Sequence, residues 1–279
     1  MHPLDRKSFL FAALAGVLLF PIAPAQAAST QWEDLGGGKA RLIASLDPAT
    51  NEVSGVVEFV LDDGWKTYWR EPGASGIPPQ FDFSGSRHFA AGEVRLPVPE
   101  HVVLPESEFV GYHGRVLFSF GGLFTSMDSG GATDGLIHVS LLAGVCEEIC
   151  IPATAEFELG IRALMVSDPV AEQVTADARQ ALPKAPSQDF RVETAIVDGD
   201  GLEIAANVPD TAGTAELFVE GPPSWQLLPA RQVARDGGKV SFRLDLSRLP
   251  QDARPEAAEL RFTLTSNGKG IEQRLTPAH

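Results

Sequence analysis

Along nearly its whole length the chain is cut into short apolar or alternating runs by breaks rich in Gly, Pro and Asp. That punctuation restricts it to an all-β fold. Ala40–Ser45, Val53–Leu61, Lys66–Arg70, Glu93–Leu96, Val116–Phe120, Leu136–Leu142 and Thr154–Ile161 read as strands. Between them stand Asp47-Pro48, Asp62-Asp63-Gly64, Glu71-Pro72-Gly73, Gly121-Gly122 and Ser129-Gly130-Gly131, each with the chemistry of a turn. Runs this short bury one face each and need a second sheet to cover it, so the pattern reads as a β-sandwich.

The pattern changes once. Ser167-Asp168-Pro169 is a helix start, with Asp or Ser as cap and Pro in the first turn. Val170, Val174, Ala178 and Leu182 follow at about helical spacing, and Pro183-Lys184-Ala185-Pro186 stops the run. Strands resume at Phe190–Val197, Leu202–Val208, Ala215–Glu220, Lys239–Leu246 and Glu259–Thr265. The expected organisation is a first sandwich over 28–165, a short helical linker over 166–188 and a second sandwich over 189–279. No repeat relates the two halves.

Residues 1–27 read as a secretory signal peptide. Arg6 and Lys7 precede an apolar run from Phe9 to Ile22, and Ala25-Gln26-Ala27 is a small-residue cleavage site before Ala28. The second arginine of a twin-arginine signal is missing. No cysteine follows the cleavage site, which excludes a lipid anchor there. No later stretch reaches about 18 apolar residues, so no membrane insertion is expected after cleavage. The expected compartment is the periplasm, where disulfides persist.

The charge balance narrows the partners. The chain has 22 basic and 37 acidic residues; removing Arg6, Lys7 and Asp5 with the signal leaves 20 and 36. Such a balance argues against nucleic acid and against anionic membrane surfaces.

Only two cysteines occur, in Cys146-Glu147-Glu148-Ile149-Cys150, followed by Ile151-Pro152. On one continuous strand, residues four apart lie roughly 13 Å apart at about 3.3 Å per residue. A disulfide needs Cα atoms within about 7 Å. The pair must therefore sit on one helical turn or face each other across a tight loop. The flanking runs Val139–Leu142 and Ala155–Leu159 favour a hairpin. Three uses are open: a redox pair, a structural disulfide, or metal binding. A five-residue ring constrains the unfolded chain little, by roughly 2 kcal/mol. A chain this long can bury a core without staples, so the redox use is favoured. Glu147 and Glu148 oppose a nearby thiolate and work against its activation.

Gly64-Trp65-Lys66-Thr67-Tyr68-Trp69-Arg70 is dense in aromatics. If it is extended, Trp65, Thr67 and Trp69 share a core face while Lys66, Tyr68 and Arg70 share the other. Glu106–Gly114 reads by composition as a loop, yet carries Phe109 and Tyr112, which could tuck into the core or lie over a reactive group. A copper or zinc site would draw on Cys146, Cys150 and His113. His88, His101, His113 and His138 show no zinc spacing, and the chain has three Met, one the initiator. No phosphate loop or nucleophile elbow is present. Asp62-Asp63 and Glu147-Glu148 are adjacent carboxylates that a strand would point to opposite faces.

Together, Gly64–Trp69, Gly76-Ile77-Pro78-Pro79, Gly111-Tyr112 and Val145-Cys146-Glu147-Glu148-Ile149-Cys150-Ile151-Pro152 resemble the periplasmic N-terminal region of the DsbD/ScsB disulfide-reductase family. Leu217–Trp225 and Leu260–Leu264 add a weaker likeness in the second half. The resemblance implies two immunoglobulin-like domains and thiol–disulfide exchange with no cofactor beyond a redox-active disulfide. It implies a thioredoxin-like reductase domain, periplasmic or membrane-bound, as electron source, and periplasmic thiol proteins as clients. It also links such proteins to copper tolerance and cytochrome c biogenesis. Cys150 would attack a client disulfide and Cys146 would resolve the intermediate. Phe109, or else Tyr112, would shield the pair from a cap loop, with Tyr68 nearby on a neighbouring strand and Glu147, Glu148 and Pro152 around it. The C-x3-C spacing resembles the ScsB branch. Gly144 stands where a larger strand residue is expected. The 279 residues hold no counterpart of the family's membrane and thioredoxin-like domains, so the electron source is expected to be a separate protein. The competing expectation is a non-catalytic binding or assembly module with an inert disulfide.

Overall fold

The computed structural model describes residues 28–72, 76–103, 108–125, 134–209, 213–222, 224–225 and 227–279, and only the backbone of 102, 103, 108 and 109. The expected signal peptide, the turn at Ser129-Gly130-Gly131, Glu106 with Ser107, and the side chain of Phe109 lie outside the described residues.

The first sandwich is built from β1 (Glu33–Asp34), β2 (Gly38–Asp47), β3 (Glu52–Leu61), β4 (Lys66–Tyr68), β5 (Gln80–Asp82), β6 (Phe89–Ala91), β7 (Glu100–Val103), β8 (Glu108–His113), β9 (Arg115–Phe124), β10 (Leu136–Cys146) and β11 (Cys150–Gly160). One sheet runs β1-β2-β3-β9-β6. The other runs β11-β10-β4-β8-β7, with β5 also on β10. Both inner faces enter one core, in which Phe59 and Phe118 meet Ile137, Val145 and Phe157.

Strand β11 shows how sequence sets the face. Ala153, Ala155, Phe157 and Leu159 are buried, while Thr154, Glu156 and Glu158 between them are exposed. Strands β2 and β3 break this rule: Leu42, Ile43 and Ala44 are consecutive and all buried, as are Val56 to Phe59. The cause is α2 (Pro169–Gln180), which follows the one-turn α1 (Ile161–Leu164) and packs across β2, β3 and β9. A strand covered on both faces is apolar throughout. Its one buried charge, Glu58, accepts from Arg41 Nε at 2.7 Å and Arg115 Nε at 2.6 Å, which offsets its desolvation.

Helix α2 is capped as its sequence predicts, with Asp168 accepting from the Val170 and Ala171 amides. It buries Ala171, Val174, Thr175 and Ala178, and leaves Val170 exposed. Ala171, Val174 and Ala178 join the first core, so the segment expected as a linker helix is part of the first sandwich. Two further expectations change. Glu93–Leu96 forms no strand; Arg95 makes a single bridge to Ser119, and the sheet edge is β6 instead. Most of the expected loop Glu106–Gly114 is strand β8, paired with both β4 and β7. Gly111 masks an alternation in which Val110 and Tyr112 point inward.

The second sandwich contains β12 (Arg191–Asp198), β13 (Gly201–Asn207), β14 (Ala215–Glu220), β15 (Arg231–Asp236), β16 (Lys239–Asp245), β17 (Leu260–Ser266) and β18 (Lys269–Leu275). Its sheets run β12-β13-β16-β15 and β14-β17-β18 around a separate core. The described structure is therefore all-β and immunoglobulin-like with a small helical element. The halves are stitched together. Lys184 donates to the Gly270 carbonyl and accepts from the Glu272 amide, both at 2.9 Å. Phe218 of β14 enters the first core beside Trp69.

Candidate functional site

Strands β10 and β11 form one long hairpin whose last pair is Cys146 opposite Cys150. Glu147, Glu148 and Ile149 make the connection. Direct opposition brings the two Cα atoms to 4.1 Å, and the sulfurs are joined in a disulfide. The alternation of β10 assigns the faces: Ala143 and Val145 point into the core, while Gly144 and Cys146 point to the other side.

The cysteines differ sharply in access. Cys146 is 1% exposed, held between β11 and β4, where Lys66 stands opposite it. Cys150 begins the edge strand β11 and is exposed, as are Glu147, Glu148 and Pro152. Ile149 is 76% exposed. Pro152 has no amide to donate and is tolerated on an edge strand.

Tyr68 lies over the pair. Its hydroxyl is 2.9 Å from Cys150 Sγ and 3.2 Å from Cys146 Sγ. Sulfurs in a disulfide carry no hydrogen, so the hydroxyl is the donor. Burial pushes the Tyr68 hydroxyl above its ordinary pKa, so it stays protonated where thiols ionise. Two glycines make room for the ring. A Cβ on Gly144 would stand 3.0 Å from it, and one on Gly76 at 2.7 Å. The Gly144 amide also donates to the Ile77 carbonyl at 3.0 Å, which ties the returning chain across the ring. Gly144 is small because an aromatic side chain occupies the space beside it.

Lys66 is buried, and its ammonium donates to the Glu147 carbonyl at 3.0 Å. The register sets Lys66 directly opposite Cys146, and its ammonium lies on the connection that carries Glu147 and Glu148. The Thr67 hydroxyl donates to the Gly144 carbonyl at 2.8 Å on the inner side and fixes β4 against β10.

Of the residues singled out in the sequence, Cys146, Cys150, Tyr68, Glu147, Glu148 and Pro152 come together at this hairpin end. Tyr112 does not. Its ring packs edge-on against Phe118 in the core, 5.7 Å between centroids, and its hydroxyl donates to the Pro97 carbonyl at 2.9 Å. A β-strand sends alternate side chains to opposite faces, and Tyr112 takes the core face, so it cannot cap the pair. The Phe109 backbone pairs with Val102, four residues along β8 from the His113–Lys66–Cys146 row, roughly 13 Å away along the strand. His113 lies one strand beyond Lys66, with Glu100 at 3.4 Å, and is not gathered with the cysteines. Among the described residues no cluster of three His, Cys, Asp or Glu is placed to hold a metal.

Lys66, Gly76 and Ile77 belong to the site and carry no role in the sequence reading. The alternation that put Tyr68 opposite Trp69 also puts Lys66 on the Tyr68 face, and that signal could have found it. Gly76 is recognisable only once the ring beside it is seen.

A family model described as the N-terminal region of the thiol:disulfide interchange protein DsbD matches residues 39–161. The crystal structure of the N-terminal periplasmic domain of ScsB from Proteus mirabilis is similar over 91% of this chain and 99% of that chain, with a TM-score of 0.73 and 19% identity. At that identity the likeness speaks for the fold. No curated protein matches the chain. With the cysteine hairpin and its tyrosine inside the matched segment, residues 39–161 are a domain of the DsbD N-terminal type.

Proposed function

We propose that the protein is a periplasmic thiol–disulfide exchange protein that relays reducing equivalents through Cys146 and Cys150. The electrons come from a thioredoxin-like reductase, periplasmic or membrane-bound, and pass to envelope client proteins. The observation that carries this reading is the asymmetry of the pair: an exposed cysteine and a buried one under a single hydroxyl donor.

In the reduced protein the Cys150 thiolate attacks one sulfur of a client disulfide, and the first client thiolate leaves. The Cys146 thiol loses its proton and attacks Cys150 Sγ. The second client thiolate is released, and the Cys146–Cys150 disulfide is restored. The client gains two electrons and, at neutral pH, two protons. A dithiol on the reductase then reduces the pair by attack on Cys150, the sulfur it can reach, with Cys146 leaving. In each direction the Tyr68 hydroxyl donates to whichever sulfur carries charge, and Lys66 supports that charge. Hydrogen bonds to charged groups contribute about 1.5–3 kcal/mol. Ile149 offers an apolar contact beside Cys150 to a docked partner. The copper and cytochrome c associations add no residue to this site.

The test joins a potential to a trap. The pair should equilibrate rapidly in glutathione and dithiothreitol buffers, at a potential between about −120 and −270 mV. Cys146→Ser should accumulate a mixed disulfide with an oxidised thioredoxin-like domain, reversible by dithiothreitol, while Cys150→Ser forms none. A pair that resists reduction below about −300 mV, with no trapped species, would make the disulfide structural.

A further inference from the structure

We infer that Arg70 is a positioning residue for the redox pair: clamped to Glu220 and Glu272 of the second sandwich, it holds the Tyr68 hydroxyl on the two sulfurs. The inference rests on the exchange reading and assigns the second sandwich a part in it.

Tyr68 is the last residue of β4. After it, Trp69 keeps one backbone bond to β8, and Ile77 meets β10 at Gly144. The residues that anchor this segment to the rest of the molecule follow Tyr68 directly. The Trp69 amide donates to the Val110 carbonyl at 2.9 Å, and the indole, 1% exposed, packs on Phe218 with 5.7 Å between rings. The Arg70 guanidinium stacks over that indole at 4.4 Å. Its Nε and Nη2 donate to Oε1 and Oε2 of Glu220, each at 2.6 Å, and Nη2 reaches Glu272 Oε2 at 2.6 Å. Glu220 ends β14 and Glu272 lies on β18, so the clamp spans β17 between them.

A forked guanidinium–carboxylate pair fixes direction as well as distance. Two residues upstream, the hydroxyl stands 2.9 and 3.2 Å from its sulfurs, and hydrogen bonds weaken steeply when length or angle slips. Neither glycine beside the ring supplies a side chain to hold it, so placement falls to the backbone. Tyr68 itself pairs with Gly111 of β8, the Arg70 clamp fixes the chain two residues on, and the Gly144–Ile77 bond fixes it further along. The charged groups around the sulfurs are Lys66, Glu147 and Glu148. Those around Arg70 are Glu71, Glu220, Glu272 and Arg261, with Glu93, Arg95, Lys184 and Arg274 lining the same cleft and the buried Tyr112 close enough to feel its charge.

The experiment reads the thiolate midpoint of Cys150 in the full chain carrying Cys146→Ser, from alkylation rate against pH, with no partner protein present. Tyr68→Phe should raise the midpoint by about one pH unit, a tenfold loss of thiolate at fixed pH below it. Arg70→Ala should raise it by at least half as much, Arg70→Lys by less, and Arg70→Ala combined with Tyr68→Phe by no more than Tyr68→Phe alone. Glu220→Gln separates positioning from bulk charge. Loss of a negative charge acting through space lowers the midpoint, whereas loss of positioning raises it. Glu220→Gln also stands in should Arg70→Ala fail to fold.

An unmoved midpoint in Arg70→Ala, full additivity with Tyr68→Phe, a lowered midpoint in Glu220→Gln, or no effect of Tyr68→Phe would each overturn the inference. Failure of the exchange reading shows differently, as the expected series of midpoint shifts with no mixed disulfide formed with an oxidised thioredoxin-like domain.

Discussion

At the scale of the residue, Gly144 and Tyr68 explain each other. A strand interior gains nothing from glycine, which forgoes side-chain packing and adds conformational entropy to the unfolded chain. Here the missing Cβ is the space that the Tyr68 ring and the Ile77 carbonyl occupy, both 3.0 Å from where it would stand. Gly144→Ala should therefore destabilise the domain by about 1–3 kcal/mol, measured by urea unfolding, through overpacking. It should also push the hydroxyl off the sulfurs and raise the Cys150 midpoint. Loss of stability with an unmoved midpoint would show that the ring gives way without carrying the hydroxyl with it. The sequence marked Gly144 as anomalous and could not say why, because the ring comes from a strand 76 residues earlier.

At the scale of the element, legibility followed locality. The cysteine hairpin was readable because opposition across a three-residue connection is a matter of chain geometry alone. The start of α2 was readable because a cap and an N1 proline act within one turn. Asp168→Ala should cost about 1 kcal/mol in urea unfolding, with the loss centred on the α2 amides in hydrogen exchange. Strands β5, β6, β7 and β15 escaped the pattern because they are short edge pieces or largely exposed. Strand β8 escaped because Gly111 within it and Gly114 after it suggested a loop, while pairing on two sides made it a strand.

At the scale of the whole molecule, the two sandwiches meet where the redox strand ends. Burial, and Glu220 nearby, push Glu71 above the ordinary carboxyl pKa. A carboxyl with a raised folded pKa binds more protons folded than unfolded, so stability falls as pH rises from the unfolded value through the folded one. Glu71→Gln should thus raise the melting temperature at pH 7 and leave it nearly unchanged below about pH 3.5, where both forms are neutral. An equal rise at both values would assign the gain to packing rather than to charge. Trp69 on Phe218, and Arg70 on Glu220 and Glu272, make the junction specific.

What the sequence determined by itself was the β class, the two-sandwich plan with a capped helix between, and a cysteine pair closed across a tight connection. Each rests on neighbours along the chain: alternation, turn chemistry, caps and ring size. Tertiary structure alone decided that the connecting helix packs into the first core and that Tyr112 belongs to that core. It alone decided that Tyr68 lies over the sulfurs in a gap left by Gly76 and Gly144, and that the residues after Tyr68 clamp the second sandwich. Those features join residues distant in sequence, and the physics that selects them is packing and charge pairing in space, which periodicity does not encode.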